Sequence, residues 1–314
     1  MNASGGTAFV FPGQGSQSVG MLKALAADHS QILGTFREAS EALGYDLWEL
    51  TQNGPEEALN RTAVTQPALL AADVGCYRAW RARDGIEPVV MAGHSLGEYA
   101  ALVCAEALDF RQAVRLVARR GALMQAAVPQ GEGAMAAILG LDDAAVEAVC
   151  RDCAHGETLA AANYNAPGQV VIAGTKAAVD RALVAARSAG ARRSVVLAVS
   201  APSHCGLMRE AAQQFAQDLA GAALNAPVVP VIHNATVAAL SEPGPIREAL
   251  VSQLFSPVRW VETIRRMAEW DVSRILECGP GKVLTGLNKR IVDLPCASLG
   301  EPADFGAALG VTGP

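Results

Sequence analysis

The run Pro88-Val-Val-Met-Ala-Gly-His-Ser-Leu-Gly97 decides the fold. Its first five residues make a short, continuous apolar stretch, the pattern of a strand buried on both faces. Helical spacing follows to about residue 107, so Gly93-His-Ser-Leu-Gly97 falls in the turn between a strand and a helix. In that context G-x-S-x-G forms a nucleophile elbow. The sharp turn strains the serine backbone, and small residues two positions to either side let neighbouring backbone pass. Ser95 Oγ is thereby exposed, and the Leu96 amide, at the start of the helix, can donate to a developing oxyanion.

The same rhythm extends in both directions. Thr7-Ala-Phe-Val-Phe11, cut off by Pro12-Gly-Gln-Gly15, reads as another buried strand ending in a tight turn, with a helix from about residue 21. Helical spacing covers 67–83, with Pro67 opening it, and Asp109 can cap a helix over 110–128. Helices alternating with short apolar strands indicate a parallel sheet covered on both faces. Between 131 and 198 the pattern changes: strand 134–139, a helix capped by Asp142, strand 158–164, a turn at 165–168, strand 169–173, a helix capped by Thr175, and strand 194–199. That β-α-β-β-α-β order is ferredoxin-like. Strands near 228–232 and 274–277 then resume the first unit. The expected architecture is α/β, with 1–130 and 199–314 as a large subdomain and 131–198 inserted as a small one. This agrees with the soft prior of roughly 150 residues per domain for a chain of 314 residues.

Composition narrows the function classes. With 51% hydrophobic and 18% charged residues the chain can bury a large core. Its 31 acidic against 25 basic residues, a net charge of −6, argue against a general nucleic-acid binder or a polybasic membrane-surface protein. Neither a signal peptide nor a membrane span is expected, so the cytoplasm is the default compartment. Seven scattered cysteines suit reduced thiols, and Cys150-x-x-Cys153 lacks a second pair at zinc spacing.

A serine hydroxyl needs a base within hydrogen-bond reach, which histidine supplies best. His29, in a helix, His155, near a turn, and His233, at a strand end, suit surface or structural roles. His94 adjoins Ser95 on a tight turn and should point away from the hydroxyl. His204, in the loop Ser200-Ala-Pro-Ser-His-Cys205, is favoured by position. Arg120 shares a helix face with Ala113, Val117 and Met124, where a guanidinium would need an anion; Arg119 stacks almost as well on Leu116 and Leu123, and spacing leaves the choice open. A carboxylate partner on the substrate would make either arginine a selector of dicarboxylic acyl groups. Phosphate readings fail: Gly13-Gln-Gly15 lacks the third glycine of G-x-G-x-x-G, and Gly281-Lys282 is followed by Val283 where a P-loop needs Ser or Thr. No metal-binding motif is evident.

Seven blocks taken together carry a resemblance: Phe11-Pro-Gly-Gln-Gly-Ser-Gln17, Gly93-His-Ser-Leu-Gly-Glu98, Arg119-Arg-Gly121, Asn163-Tyr-Asn-Ala-Pro-Gly-Gln-Val-Val171, Pro202-Ser-His204, Gln253-Leu-Phe-Ser-Pro-Val258 and Glu277-Cys-Gly-Pro-Gly-Lys282. In order and spacing the chain resembles the malonyl-CoA:acyl-carrier-protein transacylases of bacterial type II fatty-acid synthesis. The resemblance implies an α/β-hydrolase-like large subdomain with a parallel sheet, an inserted ferredoxin-like small subdomain, and a site between them. It makes Ser95 the acylated nucleophile, His204 its base, and the amides of Gln14 and Leu96 the oxyanion hole. Arg120, rather than Arg119, matches the arginine that pairs with the malonyl carboxylate, and a backbone carbonyl at Gln253 orients the histidine. Asn163 and Asn165 match a loop facing the cleft, and Met124 joins them as a substrate-side residue.

The implied chemistry is ping-pong transfer of malonyl from malonyl-CoA to the phosphopantetheine thiol of an acyl carrier protein. The coenzyme A thioester is then a substrate, no cofactor is bound, and the chain works as a monomer. Carrier proteins of this type are acidic, so docking needs a local basic patch, with Arg259, Arg265, Arg266, Lys282, Lys289 and Arg290 as candidates. Alternatives are a stand-alone acyltransferase of a polyketide synthase or malonate decarboxylase system, a serine esterase or thioesterase, and a non-catalytic interaction protein.

Overall fold

Alternation along the first strand sets the layers. Phe9 and Phe11 point into one apolar cluster with Met91 and Leu276, while Ala8 and Val10 point into another with Val90, Ala92 and Ile275. A sheet buried this way on both faces must carry helices on each side. The computed structural model describes residues 5–198 and 201–310. Its strands are β1 (Gly6–Phe11), β2 (Pro88–Gly93), β3 (Gly133–Leu139), β4 (Leu159–Ala166), β5 (Gln169–Thr175), β6 (Arg193–Val196), β7 (Val231–Ile232), β8 (Val272–Glu277) and β9 (Cys296–Ser298). Five of them form a parallel sheet in the order β7-β2-β1-β8-β9. The other four form an antiparallel sheet in the order β4-β5-β3-β6, with helices Asp143–Cys153 and Lys176–Ser188 in its crossovers. The expected α/β fold with a ferredoxin-like insertion is thus present.

The small sheet also has two different faces. Ala136, Ile138, Val170 and Ile172 pack on its helices through Val146, Val149 and Val179, whereas Met135, Val171 and Ala173 face the other way, with Cys205. Two backbone hydrogen bonds tie its edge to the larger unit: Tyr164 N–H donates to the Val258 carbonyl, and Val258 N–H to the Ala162 carbonyl, each at 2.9 Å.

Several expected boundaries shift for identifiable reasons. The helix placed at 67–83 begins five residues earlier, as Thr62–Ala82, with Pro67 inside its early turns. The helix expected from 21 is two helices, Lys23–Asp28 and Ser30–Leu43, and His29 sits extended between them rather than within one. The expected turn at 165–168 tightens to Pro167-Gly168, because Asn165 and Ala166 continue β4. β6 ends at Val196; Val199 and Ser200, the expected strand end and loop start, lie outside the described residues. Asp109, Asp142 and Thr175 each cap as expected, accepting from Gln112, Ala145 and Ala178 backbone N–H groups. All seven cysteines are free thiols. Among the described residues no helix is long and apolar enough to cross a membrane.

Candidate active site

The elbow has the strain its sequence implies. Ser95 lies at φ +52°, in the left-handed region, which costs a non-glycine residue about 1–2 kcal/mol. A Cβ on Gly93 would come within 1.8 Å of the Gly97 carbonyl carbon, and one on Gly97 within 2.1 Å of the Phe11 carbonyl oxygen. Only glycine permits this crossing of β1, β2 and helix Gly97–Cys104. Side chains pin the strained residue from below. Ser95 N–H donates to Asn234 Oδ1 at 2.7 Å, Asn234 Nδ2 donates to the Gly93 carbonyl at 2.6 Å, and Gln253 Nε2 donates to the Ser95 carbonyl at 2.9 Å.

His204 meets the hydroxyl directly, with Nε2 2.7 Å from Ser95 Oγ. Its Nδ1 lies 2.8 Å from the Gln253 backbone carbonyl, and its own N–H donates to the Leu254 carbonyl at 3.0 Å. A carbonyl can only accept, so Nδ1 carries the proton and Nε2 presents its lone pair to the serine O–H. Burial first, and then the nearby Arg120 charge, push the His204 pKa down to about 3. The ring is therefore neutral at pH 7 and ready to accept a proton.

The two arginines left open by spacing separate cleanly. Arg119 is half-exposed and ion-paired with Asp218 at 3.2 Å. Arg120 is buried, its guanidinium facing the site: Nη1 donates to Gln66 Oε1 at 2.8 Å, and Nη2 donates to Gln253 Oε1 at 2.9 Å and to Ser95 Oγ at 3.3 Å. Gly121 lets helix Phe110–Ala126 close on the start of helix Thr62–Ala82, since a Cβ there would meet the Thr62 carbonyl oxygen at 2.5 Å. The anion expected beside this arginine is replaced by amide oxygens, and burial lowers its pKa, countered by Tyr99 and Glu98.

These groups open into a cleft of about 140 Å³ lined by Ser95, His204 and Gln14 on one side and Met135, Asn163 and Val171 of the small sheet on the other. Met124 also lines it, receiving an N–H from Gln66 through its sulfur at 3.5 Å. Leu96 stands at the entry of helix Gly97–Cys104, where the first amides have no intrahelical acceptor. Asn165 bonds His94, Oδ1 to Nε2 at 2.8 Å, so the His94 ring is held on the small sheet and away from the hydroxyl. Sequence reasoning missed Gln66 and Asn234. Gln66 precedes the proline taken as the helix start, whereas His233, expected in a surface or structural role, is fully buried against Glu98. Asn234 carried no local signal.

The acyl transferase domain model matches residues 8–296. The chain belongs to the acyl transferase domain family. This acyltransferase is 56% identical over 303 residues to the malonyl CoA-acyl carrier protein transacylase of Escherichia coli (strain K12), covering 96% of this chain and 98% of that one. An acyl carrier protein S-malonyltransferase from Vibrio cholerae, 54% identical, superposes with a TM-score of 0.94 over 96% of this chain and 99% of that chain. A malonyl-transacylase solved in complex with its type II PKS acyl-carrier protein is 52% identical, with a TM-score of 0.96 over 98% of this chain and 100% of that chain. The acyl transferase domain thus falls among the malonyl transacylases that its sequence resembles.

Proposed function

We propose that this acyltransferase moves malonyl from malonyl-CoA to the phosphopantetheine thiol of an acyl carrier protein, supplying fatty-acid elongation. The observation that carries the reading is the joint placement of a Ser95–His204 pair and a buried Arg120 within hydrogen-bond reach of the same hydroxyl. A plain esterase has no use for a buried cation at the acyl end.

In this reading Ser95 Oγ attacks the thioester carbon as its proton passes to His204 Nε2, and the Gln14 and Leu96 amides receive the oxyanion. Collapse breaks the C–S bond, and the His204 proton leaves with the coenzyme A thiol. The malonyl-serine ester then meets the carrier thiol, whose proton goes to His204 while its sulfur attacks the ester. The returning serine oxygen takes that proton back. Arg120, held from behind by the Gln66 and Gln253 side-chain oxygens, gives up its contact with Ser95 Oγ to meet the malonyl carboxylate, with Met124, Asn163 and Asn165 shaping the wall. No cofactor enters the scheme; coenzyme A is consumed as the substrate thioester. The catalytic unit is 1–130 with 199–314, and 131–198 roofs the site. Seven free thiols support action in a reducing compartment, the cytoplasm.

The test is incubation with radiolabelled malonyl-CoA, with and without carrier protein. Expected is stable label on Ser95, absent in Ser95→Ala, that moves to the carrier. Immediate release of free malonate would mean hydrolysis instead. In the same assay Arg120→Ala should lower malonyl acylation about a hundredfold, as for loss of a charge-assisted hydrogen bond, and acetyl acylation far less. Equal losses would remove the anchor role. The resemblance to a transacylase bound to a type II PKS acyl-carrier protein favours a polyketide carrier as the second reading, so both carrier types belong in the assay.

A further inference from the structure

Glu98 lies one turn past the nucleophile in helix Gly97–Cys104, is fully buried, and touches neither Ser95 Oγ nor His204 through any hydrogen bond among the described residues. Its carboxyl is nevertheless met by three hydrogen-bond partners. His233 Nδ1 meets Oε1 at 2.7 Å, while Asn234 N–H and Gln253 Nε2 donate to Oε2 at 2.9 and 2.8 Å.

Two of these donors lead straight into the site. Asn234 continues to Ser95 N–H and the Gly93 carbonyl, fixing the elbow. Gln253 carries more: because its Nε2 is claimed by Glu98 and the Ser95 carbonyl, its Oε1 must face Arg120. A flipped amide would aim two N–H donors at a guanidinium, which has only donors itself.

We propose that Glu98 is a positioning residue for acyl selectivity: by accepting from Gln253 Nε2 it fixes the side-chain amide so that Oε1 aims the Arg120 guanidinium into the acyl end of the cleft. The inference rests on the malonyl-transfer reading above. It assigns a buried carboxyl that, among the described residues, is joined to both the nucleophile and the arginine to selectivity rather than to orientation of the base, which a backbone carbonyl already performs.

Glu98→Gln keeps the volume but can offer an N–H to the Gln253 amide, allowing the flip. The test compares acylation of wild type, Glu98→Gln and Glu98→Asp by malonyl-CoA and by acetyl-CoA, with thermal unfolding of each to confirm folding. Glu98→Gln should lower the malonyl-to-acetyl ratio of kcat/KM by about tenfold, the scale of one hydrogen bond to a charged group. Glu98→Asp, which keeps the charge on a shorter arm, should lower it less but measurably. An unchanged ratio in folded Glu98→Gln overturns the proposal, and if that variant does not fold, an unchanged ratio in Glu98→Asp does so. Wild type that takes no label from malonyl-CoA would instead remove the transfer reading, so the two failures are distinct.

Discussion

The neutrality of His204 has a consequence for pH. An unfolded histidine titrates near 6.5, whereas burial and Arg120 hold the folded ring's pKa down at about 3. Between those values the unfolded chain binds a proton that the folded chain does not. This group therefore makes stability rise with pH through that window and adds no further dependence above it. The base form likewise survives well below the usual histidine range. Acylation of Ser95 by a neutral probe ester, which has no carboxylate to titrate, should keep its rate from pH 8 down to at least about 5.5. A midpoint at 6.5 or above in the rate profile would contradict the buried, Arg120-facing geometry. At this scale the sequence named Ser95, His204 and Arg120 largely through motif resemblance. It could not choose Arg120 from spacing, because Arg119 stacks as well on its own apolar neighbours and only the turn of helix Phe110–Ala126 against Gln66 separates them. The amides that hold the site, Gln66 and Asn234, were illegible because their meaning lies in partners 54 and 139 residues away.

At the level of elements, the strand–turn–helix at 88–104 is specified by sterics that the local sequence already displays. A methyl group on Gly97 would collide with backbone oxygens of Phe11 and Pro12, at 2.1 and 2.8 Å, and no side-chain rotation can relieve a backbone clash. Gly97→Ala should destabilise the protein by about 3 kcal/mol or more and displace Ser95 Oγ; denaturant unfolding with active-serine titration would check both. Wild-type stability would mean that the crossing of β1 and β2 can open. Strands and caps were read well because apolar runs and Asp or Thr caps are local signals. Boundaries moved where a tertiary partner overrode them. Helix Thr62–Ala82 absorbs Pro67 because its first turns pack on Gly121, and β7 shortens to the two residues that pair with β2.

For the molecule as a whole, most of the proposed carrier-docking charge is already engaged. Arg259 pairs with Glu262, Arg266 with Glu269 and Lys282 with Asp304. Arg290 donates to Gln169 and to the Pro167 carbonyl, latching the β4–β5 turn. Among the described residues no ion pair involves Lys289 or Arg265, so of the candidates for a local basic patch we propose these two as the ones free to meet an acidic carrier. Lys289→Glu should slow transfer to an acidic carrier about fivefold, the scale of one exposed charge pair, and leave acylation by malonyl-CoA unchanged. Lys282→Glu should do less, and stopped-flow transfer at two salt concentrations would tell them apart. Equal rates for wild type and Lys289→Glu would place docking elsewhere.

The carbonyl that orients His204 belongs to the peptide backbone of Gln253, and so it cannot be deleted by any codon change at that position. The side chain of the same residue meanwhile faces Arg120 and Glu98. One position thus carries two proposed traits with separate heritability: the backbone contact to His204 persists through a point mutation, while the side-chain contacts do not. On the proposed reading, a substitution at 253 would leave the carbonyl that faces His204 in place while removing the side-chain contacts to Arg120, Glu98 and the Ser95 carbonyl.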